Sequence, residues 1–135
     1  MRNYAVLLTE TQNVMLVKCD PDENIFVMAR RQIGCDWIEA IRPVNTLQQD
    51  YVILLDEEAK LNGNLNINCL ASFVYDSASR QDPVVGNAVI VKADGEQLVM
   101  LSIMEAARIA HALKEHRAEA IDYIRHSFNI VTEQA

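Results

Sequence analysis

The amino-acid sequence predicts an α+β domain with a mostly antiparallel sheet, and three observations support this prediction. Short β-type runs are joined by tight polar links, helical periodicity appears in separate segments between and after them, and no linker-like stretch divides the chain. Hairpin links and a short helix between strands favour a sheet with helices on one face over a doubly wound parallel sheet. We therefore expect a single domain over residues 1–135 with the element order β-β-α-β-β-α-β-β-α.

Four strands are predicted in the first half of the chain, at residues 4–9, 14–18, 37–41 and 51–55. The polar link between the first two strands is what a hairpin needs. Pro43 ends the third strand, because proline cannot donate to a strand ladder. The run 51–55 is apolar without interruption, so we expect a central strand that is buried on both faces.

The first helix is predicted to begin at a capping signal. Asp20 can cap the helix, Pro21 suits the first helical position, and Glu23 can reach back to complete a capping box. Apolar residues then recur at helical spacing over residues 25–33. Gly34 is expected to end the helix.

The second half is predicted to contain a short helix, a loop and two more strands, at residues 67–75, 77–82, 84–92 and 97–100. Asn66 or Asn68 can cap the helix, since asparagine is favoured at that position. Asp94-Gly95 offers a tight turn between the last two strands. The helical link from the fourth strand to the fifth allows a parallel crossover, which would make the sheet mixed.

The longest helical segment is predicted at the C-terminal end, over residues 102–127. Ser102 and Glu105 form a capping box at its start. The sequence leaves open whether the helix is continuous or bends near residues 115–117. Its alanine-rich apolar surface is broader than a narrow stripe, so the surplus can pair across a two-fold axis as a homodimer. Packing on its own sheet explains the same residues equally well.

The charge of the chain narrows the classes of partner that it can bind. The 135 residues carry a formal net charge of −7, and the segment from Asp50 to Glu96 contains eight acidic and three basic residues. Nucleic-acid binding requires clustered lysine and arginine, and no such cluster is visible in the sequence. We therefore expect no direct contact with nucleic acid. The acidity has two possible explanations. Either the acidic residues imitate the charge of nucleic acid and bind a basic protein partner, or they form an ordinary acidic surface.

The sequence predicts a cytoplasmic protein that does not contact a membrane. No apolar run approaches the ~18–20 residues that a membrane-spanning helix needs, and the N-terminus lacks the pattern of a signal peptide. Cys19, Cys35 and Cys69 are odd in number and form no C-x-x-C pair. They are expected to be reduced, partly buried thiols.

The residue types that most often perform chemistry form no recognisable catalytic or metal-binding pattern. His111 and His116 are five positions apart and face different sides of a helix, and the spacing of Asp122 and His126 also gives an ordinary ion pair. No serine lies in a nucleophile motif, and the four glycines form no phosphate-binding loop. We therefore assign no catalytic residue, metal ligand or cofactor, and favour a binding protein over an enzyme.

The candidate binding residues are polar or aromatic and lie in the middle of the chain. Trp37, the sole tryptophan, would be the first residue expected to grip a partner if it is exposed. Three consecutive carboxylates at 56–58 suit a hard cation, although a solvated turn explains them as well. Asp82 can accept hydrogen bonds from nearby backbone amides, and Gly86 suits a bulge or a close approach of backbone or ligand. The full set is Trp37, Glu39, Asp56, Glu57, Glu58, Asn66, Asn68, Asp82, Gly86 and Asn87.

Four segments occur in an order and spacing that resemble a known family. They are Asp-Trp-Ile-Glu-Ala-Ile-Arg-Pro at 36–43, the acidic turn at 56–63, Asn-Ile-Asn at 66–68 and Asp-Pro-Val-Val-Gly-Asn at 82–87. Over roughly residues 36–100 the chain resembles the small phage- and mobile-element-borne proteins grouped as domain of unknown function 3846. Similarity is weaker in the first hairpin and helix, and the C-terminal helix lies largely outside the similar region.

The resemblance implies a small accessory protein without an assigned activity. We expect it to act by binding a host protein or one encoded by the same mobile element. The alternative is a domain that binds a nucleotide or small metabolite, with or without a divalent cation. Its pocket would be formed by Asp56, Glu57, Glu58, Asn66, Asn68 and the strand that carries Gly86.

Overall fold

The structure is a computed structural model that describes residues 1–128 and confirms the α+β class. Ile130 and Val131, for which a tail or short strand is expected, lie outside the described residues. The elements are β1 (Arg2–Leu8), β2 (Val14–Lys18), α1 (Ile25–Ile33), β3 (Ile38–Ile41), β4 (Tyr51–Asp56), α2 (Cys69–Tyr75), α3 (Ser77–Arg80), β5 (Ala88–Asp94), β6 (Gln97–Val99), β7 (Leu101–Ser102), α4 (Ile103–Glu115) and α5 (Arg117–Ser127).

The strands form a single sheet with the order β2-β1-β5-β4-β3. Every pairing between the named strands is antiparallel, including the pairing of β4 with β5. The parallel crossover allowed by the sequence is therefore not formed. The short strands β6 and β7 pair with β5 and β1 respectively, so this segment passes from one central strand to the other. The sheet consequently has two outer strands, β2 and β3.

Helices cover both faces of the sheet, which corrects the prediction of helices on one face. Helix α1 packs on one face through Met28 and Ala29, and α2, α4 and α5 pack on the other. The reason is that successive residues of β4 alternate between the two cores: Ile53 belongs to one and Leu54 to the other. The uninterrupted apolar run of this strand indicated burial on both faces, and that prediction is confirmed.

Helix α1 begins later than the sequence predicts. Its N-cap is Asn24, whose side chain accepts hydrogen bonds from the amides of Phe26 and Val27 at 2.8 and 3.3 Å. The carboxylate of Asp20 instead accepts from the amide two residues ahead and forms a local turn. The end of the helix is as predicted, with Gly34 in the left-handed conformation at φ 81°.

The C-terminal helical segment is divided into α4 and α5 at His116. The capping box of Ser102 and Glu105 is confirmed at the start of α4. After the break, α5 returns onto α2, where Phe73 stacks on His116 and meets Tyr123 edge to face. Residues 77–80, expected to be loop, form the short helix α3. No helix within residues 1–128 is both long and apolar enough to cross a membrane.

Glu105 joins α4 to four strands of the sheet, β1, β4, β5 and β7. One carboxylate oxygen accepts from Arg2 at 2.6 Å and from the Ser102 amide at 3.1 Å, and the other accepts from Lys92 at 2.8 Å. The hydroxyl of Tyr51 lies 3.4 Å from the second oxygen. Burial opposes ionisation, but the hydrogen bonds from Lys92 and Ser102 and the charge of Arg2 outweigh it and lower the pKa of Glu105 to about 2.

Replacing Glu105 with glutamine is expected to lower the free energy of unfolding by about 1–3 kcal/mol at pH 7, because a part-buried charged partner is lost. The folded-state pKa is depressed, so the carboxylate stabilises the fold fully above its ordinary pKa of 4.5 and loses this effect as the pH falls toward 2. Urea titrations of the wild type and Glu105→Gln between pH 7 and pH 3 should therefore converge. Glu115→Gln, at an exposed position, is the matched control. A constant difference across this pH range would contradict the assignment.

Candidate functional site

A cleft of about 290 Å³ lies between β3, the turn that follows β4 and the segment that leads into β5. Apolar side chains such as Ile41, Leu55 and Val84 form its floor and walls. Its charged residues are Glu39, Asp56, Glu57, Lys60 and Asp82. We call this concavity the β3 cleft. Asp56 pairs with Ile38 and directs its side chain to the other face of the sheet. The cleft face therefore presents three carboxylates and one amine, so it is suited to a ligand with positive charge.

The register of β3 on β4 determines which side chains face the cleft. Glu39 pairs with Leu55 and Ile41 with Ile53, on the face that α2 covers. The Glu57 amide donates to the Trp37 carbonyl at 3.0 Å, which extends the same ladder by one pair. Side chains alternate between faces along a strand, so Trp37 lies on the same side as Glu39 and Ile41.

The acidic turn at residues 56–63 is a folded structure with defined internal contacts. The Asp56 carboxylate accepts from the amide of Glu58 at 2.9 Å, and the amide of Asn62 bonds to the Glu58 carbonyl at 2.9 Å. Ala59 is buried beneath the turn. These contacts use one oxygen of Asp56 and leave the side chains of Glu57 and Glu58 on the surface of the turn.

Lys60 and Asp82 form an ion pair across the cleft. Burial lowers the pKa of Lys60, and the charge of Glu39 acts in the opposite direction. Sequence reasoning assigned Asp82 to backbone amides, and the structure corrects this: its carboxylate meets a side chain that the sequence did not single out. The reason is that the turn after β4 carries Lys60 toward the segment 82–85, a contact between residues 22 positions apart.

A second concavity adjoins the cleft and exposes apolar surface. Its residues are Trp37, Glu57, Glu58 and Leu61, and we call it the Trp37 shelf. The cleft and the shelf share Glu57 and Leu61. Trp37 is 61% exposed and Leu61 is 83% exposed, so two large apolar side chains meet solvent beside the carboxylates. Six of the ten candidate residues, those at 37, 39, 56, 57, 58 and 82, therefore lie in this one region.

The other four candidates, Asn66, Asn68, Gly86 and Asn87, brace the first hairpin against the segment before β5. Asn68 is fully buried, and its amide donates to the carbonyls of Leu8 and Gly86, both at 2.9 Å. Its oxygen accepts from the Ala71 amide at 3.1 Å and caps α2. Both the nitrogen and the oxygen of the Asn68 side chain are thus hydrogen-bonded within the protein.

Two residues of the first hairpin complete this brace, and sequence reasoning missed both. Gln12, at φ 70°, donates to the Ile67 carbonyl at 2.9 Å and accepts from the Cys69 amide at 2.8 Å. Glu10 receives the side-chain amide of Asn66, and its own amide donates to Asn87. A polar link between two strands carries no signal of these long-range contacts.

Gly86 holds a backbone conformation that favours glycine. Its φ is 82°, and a Cβ atom placed there would lie 3.2 Å from the side-chain nitrogen of Asn64. Its amide donates to the Asn66 carbonyl at 2.9 Å and its carbonyl accepts from Asn68. The close approach at Gly86 that the sequence indicated is therefore made by the side chain of Asn64 and not by a ligand.

The reactive side chains outside the cleft have local structural contacts. Burial raises the pKa of the thiols of Cys19, Cys35 and Cys69, so these cysteines stay protonated near neutral pH and are weak nucleophiles. His111 and His116 contact Glu115 and Glu119 on the surface. Within residues 1–128, histidine, cysteine, aspartate and glutamate form no group of three or more that could hold a metal ion.

A family model described as "Domain of unknown function (DUF3846)" matches residues 5–114. The match covers most of the chain, so the chain belongs to this family. It extends beyond the region that the sequence motifs indicated, because it includes the first hairpin, α1 and α4 up to Lys114. No curated protein and no solved structure matches the chain.

Replacing Asn68 with alanine is expected to lower the free energy of unfolding by about 1–3 kcal/mol, because two buried carbonyls and the start of α2 lose their partner. Asn62→Ala, at an exposed position in the turn after β4 and outside the brace, should change it by less than about 0.5 kcal/mol. Urea denaturation measures both. Equal effects of the two substitutions would show that Asn68 does not brace the fold.

Proposed function

We propose that this member of the DUF3846 family is a protein-binding module that engages a basic segment of its partner through the Trp37 shelf and the β3 cleft. The observation that carries the proposal is the exposure of Trp37. Tryptophan is enriched among the residues that dominate protein interfaces. The Trp37 carbonyl accepts from the Glu57 amide just beyond the ends of β3 and β4, so the backbone that carries the exposed ring is held to the sheet.

The charge around Trp37 specifies the chemistry of the partner. Glu57 and Glu58 border the ring on the shelf, and Glu39 lies on the same face of β3. Lys60, the amine of the cleft, already pairs with Asp82. A partner segment that combines apolar and basic side chains would therefore meet complementary surface, and complementary charge raises association rate and specificity.

The acidic residues between Asp50 and Glu96 do not form one continuous face. Asp50 precedes β4 and contacts Lys92, whereas Asp56 ends β4 near the cleft. Asp94 and Glu96 lie at the same end of the sheet as Asp50, since the amide of the neighbouring Ala93 donates to the Asp50 carbonyl. Seven of the eight acids thus fall into two groups at opposite ends of β4, and the eighth, Asp76, lies at the end of α2 and accepts from Tyr123. We place the binding surface at the group of acids beside Trp37. The proposed imitation of nucleic-acid charge is thereby restricted to this group and does not extend over the whole segment.

The alternative function, binding of a nucleotide or small metabolite, receives less support from the geometry. The residues expected to form its pocket separate into the carboxylates of the cleft and the brace around Asn68, which is fully buried. Phosphate groups would also meet three carboxylates in the cleft and an amine that is already paired. A divalent cation would have to offset that repulsion. Thermal-shift measurements with nucleotides and Mg²⁺ test this alternative, because a bound ligand stabilises the folded state.

Three further parts of the proposal rest on the sequence. The family resemblance suggests an accessory protein of a phage or other mobile element, and we propose that it acts in the cytoplasm. A homodimer through the C-terminal helices stays a prediction. The apolar stripe of α4 packs on the sheet, and its exposed apolar side chains are Ile103 and Met104 in the first turn.

We expect a random-peptide library selected on the wild-type protein to yield sequences that combine apolar residues with lysine or arginine. Trp37→Ala should weaken binding of the selected peptides by about tenfold or more, as for a tryptophan at the centre of an interface. Affinity is measured by fluorescence anisotropy of labelled peptides. A higher salt concentration should also weaken the binding of these peptides to the wild-type protein.

Met104→Ala is the matched control, because Met104 is 70% exposed but lies in α4, away from the shelf. This variant should bind the selected peptides like the wild type. Selected peptides that bind Trp37→Ala unchanged, or that are acidic, would contradict the proposed function.

A further inference from the structure

Strand β3 presents a free edge of the sheet next to the cleft. Within residues 1–128 it is the last strand of the sheet and pairs only with β4. Residues of an antiparallel strand bond alternately to one side and to the other. The bond from the Glu57 amide to the Trp37 carbonyl fixes this alternation, so Glu39 bonds to β4 as well. Ile38 and Ala40 consequently direct their amides and carbonyls outward, and no hydrogen bond to these groups is present among the described residues.

From this geometry we propose that the partner binds as an extended segment that adds a strand to the free edge of β3 and places a lysine or arginine side chain over the β3 cleft. This inference rests on the proposed function and specifies its mode of binding. Unpaired groups at a sheet edge are a template for an added strand, in which backbone bonds give affinity and alternate side chains give specificity.

The position of the cleft explains why the added side chain would be basic. Glu39 and Ile41 line the cleft and belong to β3 itself, so alternate side chains of a neighbouring strand lie over it. A long basic side chain can lay its methylene groups on Ile41 and Leu55 while its charged end meets Glu39 or Asp82. Charge complementarity therefore selects one occupant, an extended segment with basic residues at alternate positions.

The other outer strand, β2, lacks this combination. The Cys19 amide donates to the Asn3 carbonyl at 2.7 Å. By the same alternation, the backbone amides and carbonyls of Leu16 and of the other even-numbered residues of β2 point outward. Its exposed side chains are the apolar Met15 and Leu16 and the basic Lys18, with no carboxylate. The carboxylates of Glu39, Glu57 and Asp82 belong to the cleft beside β3, at the opposite edge of the sheet. Pro43 follows β3 closely and limits the addition to a short segment.

The test uses an acetylated and amidated peptide in which lysine alternates with valine, titrated against the full chain. Trp37 is the sole tryptophan and lies on the shelf, so its fluorescence reports binding directly. We expect binding that weakens by about tenfold or more when alternate peptide amides are N-methylated, because the methyl group removes the donors that an added strand needs. Glu39→Gln should also weaken it, whereas Glu96→Gln, an exposed charge at the β5–β6 turn, should not.

Three outcomes would overturn the inference: the lysine peptide does not bind, its N-methylated form binds equally well, or Glu39→Gln and Glu96→Gln have equal effects. The fate of the proposed function is decided separately by the library-selected peptides. If these depend on Trp37 but tolerate N-methylation, the protein-binding function stands and strand addition fails. If no selected peptide depends on Trp37, the proposed function itself fails.

Discussion

Burial of β1, β5 and β4 on both faces is the constraint on which the rest of this structure depends. Each central strand contributes alternate residues to two cores, and helices must cover both sides of the sheet to keep those residues from water. The backbone of the sheet is then accessible only along its outer strands, β2 and β3. Any surface that uses the sheet to recognise another molecule must lie at one of these two edges.

Two polar anchors hold the helices on the central strands of the sheet. Glu105 fastens α4 to the start of β1 and to β5, and Asn68 fastens α2 to the end of β1 and to the segment before β5. Both side chains are nearly or fully buried and satisfied. The polar groups at these positions are used by the fold and are therefore not available to a partner.

The sequence predicts those features that depend on local pattern. The apolar run of β4, the glycine that ends α1 and the capping box of α4 are each read from a few neighbouring residues, and all are confirmed. The layering of helices on both faces was predicted wrongly, because it depends on how all central strands combine. The pairing of Lys60 with Asp82 and the contacts of Gln12 join distant parts of the chain, and no local pattern encodes them. The sequence identifies the ten candidate residues as one set. Only the fold shows that six of them lie at the cleft and the shelf and that the other four form the brace.

Hydrogen exchange of the backbone amides, measured with and without a saturating library-selected peptide, tests the central claim most directly. If the partner binds along the free edge of β3, the outward amides of Ile38 and Ala40 should become protected while the amides of β2 exchange as before. Unchanged exchange at Ile38 and Ala40, with protection appearing at β2 or at the start of α4, would show that recognition takes place elsewhere on the molecule.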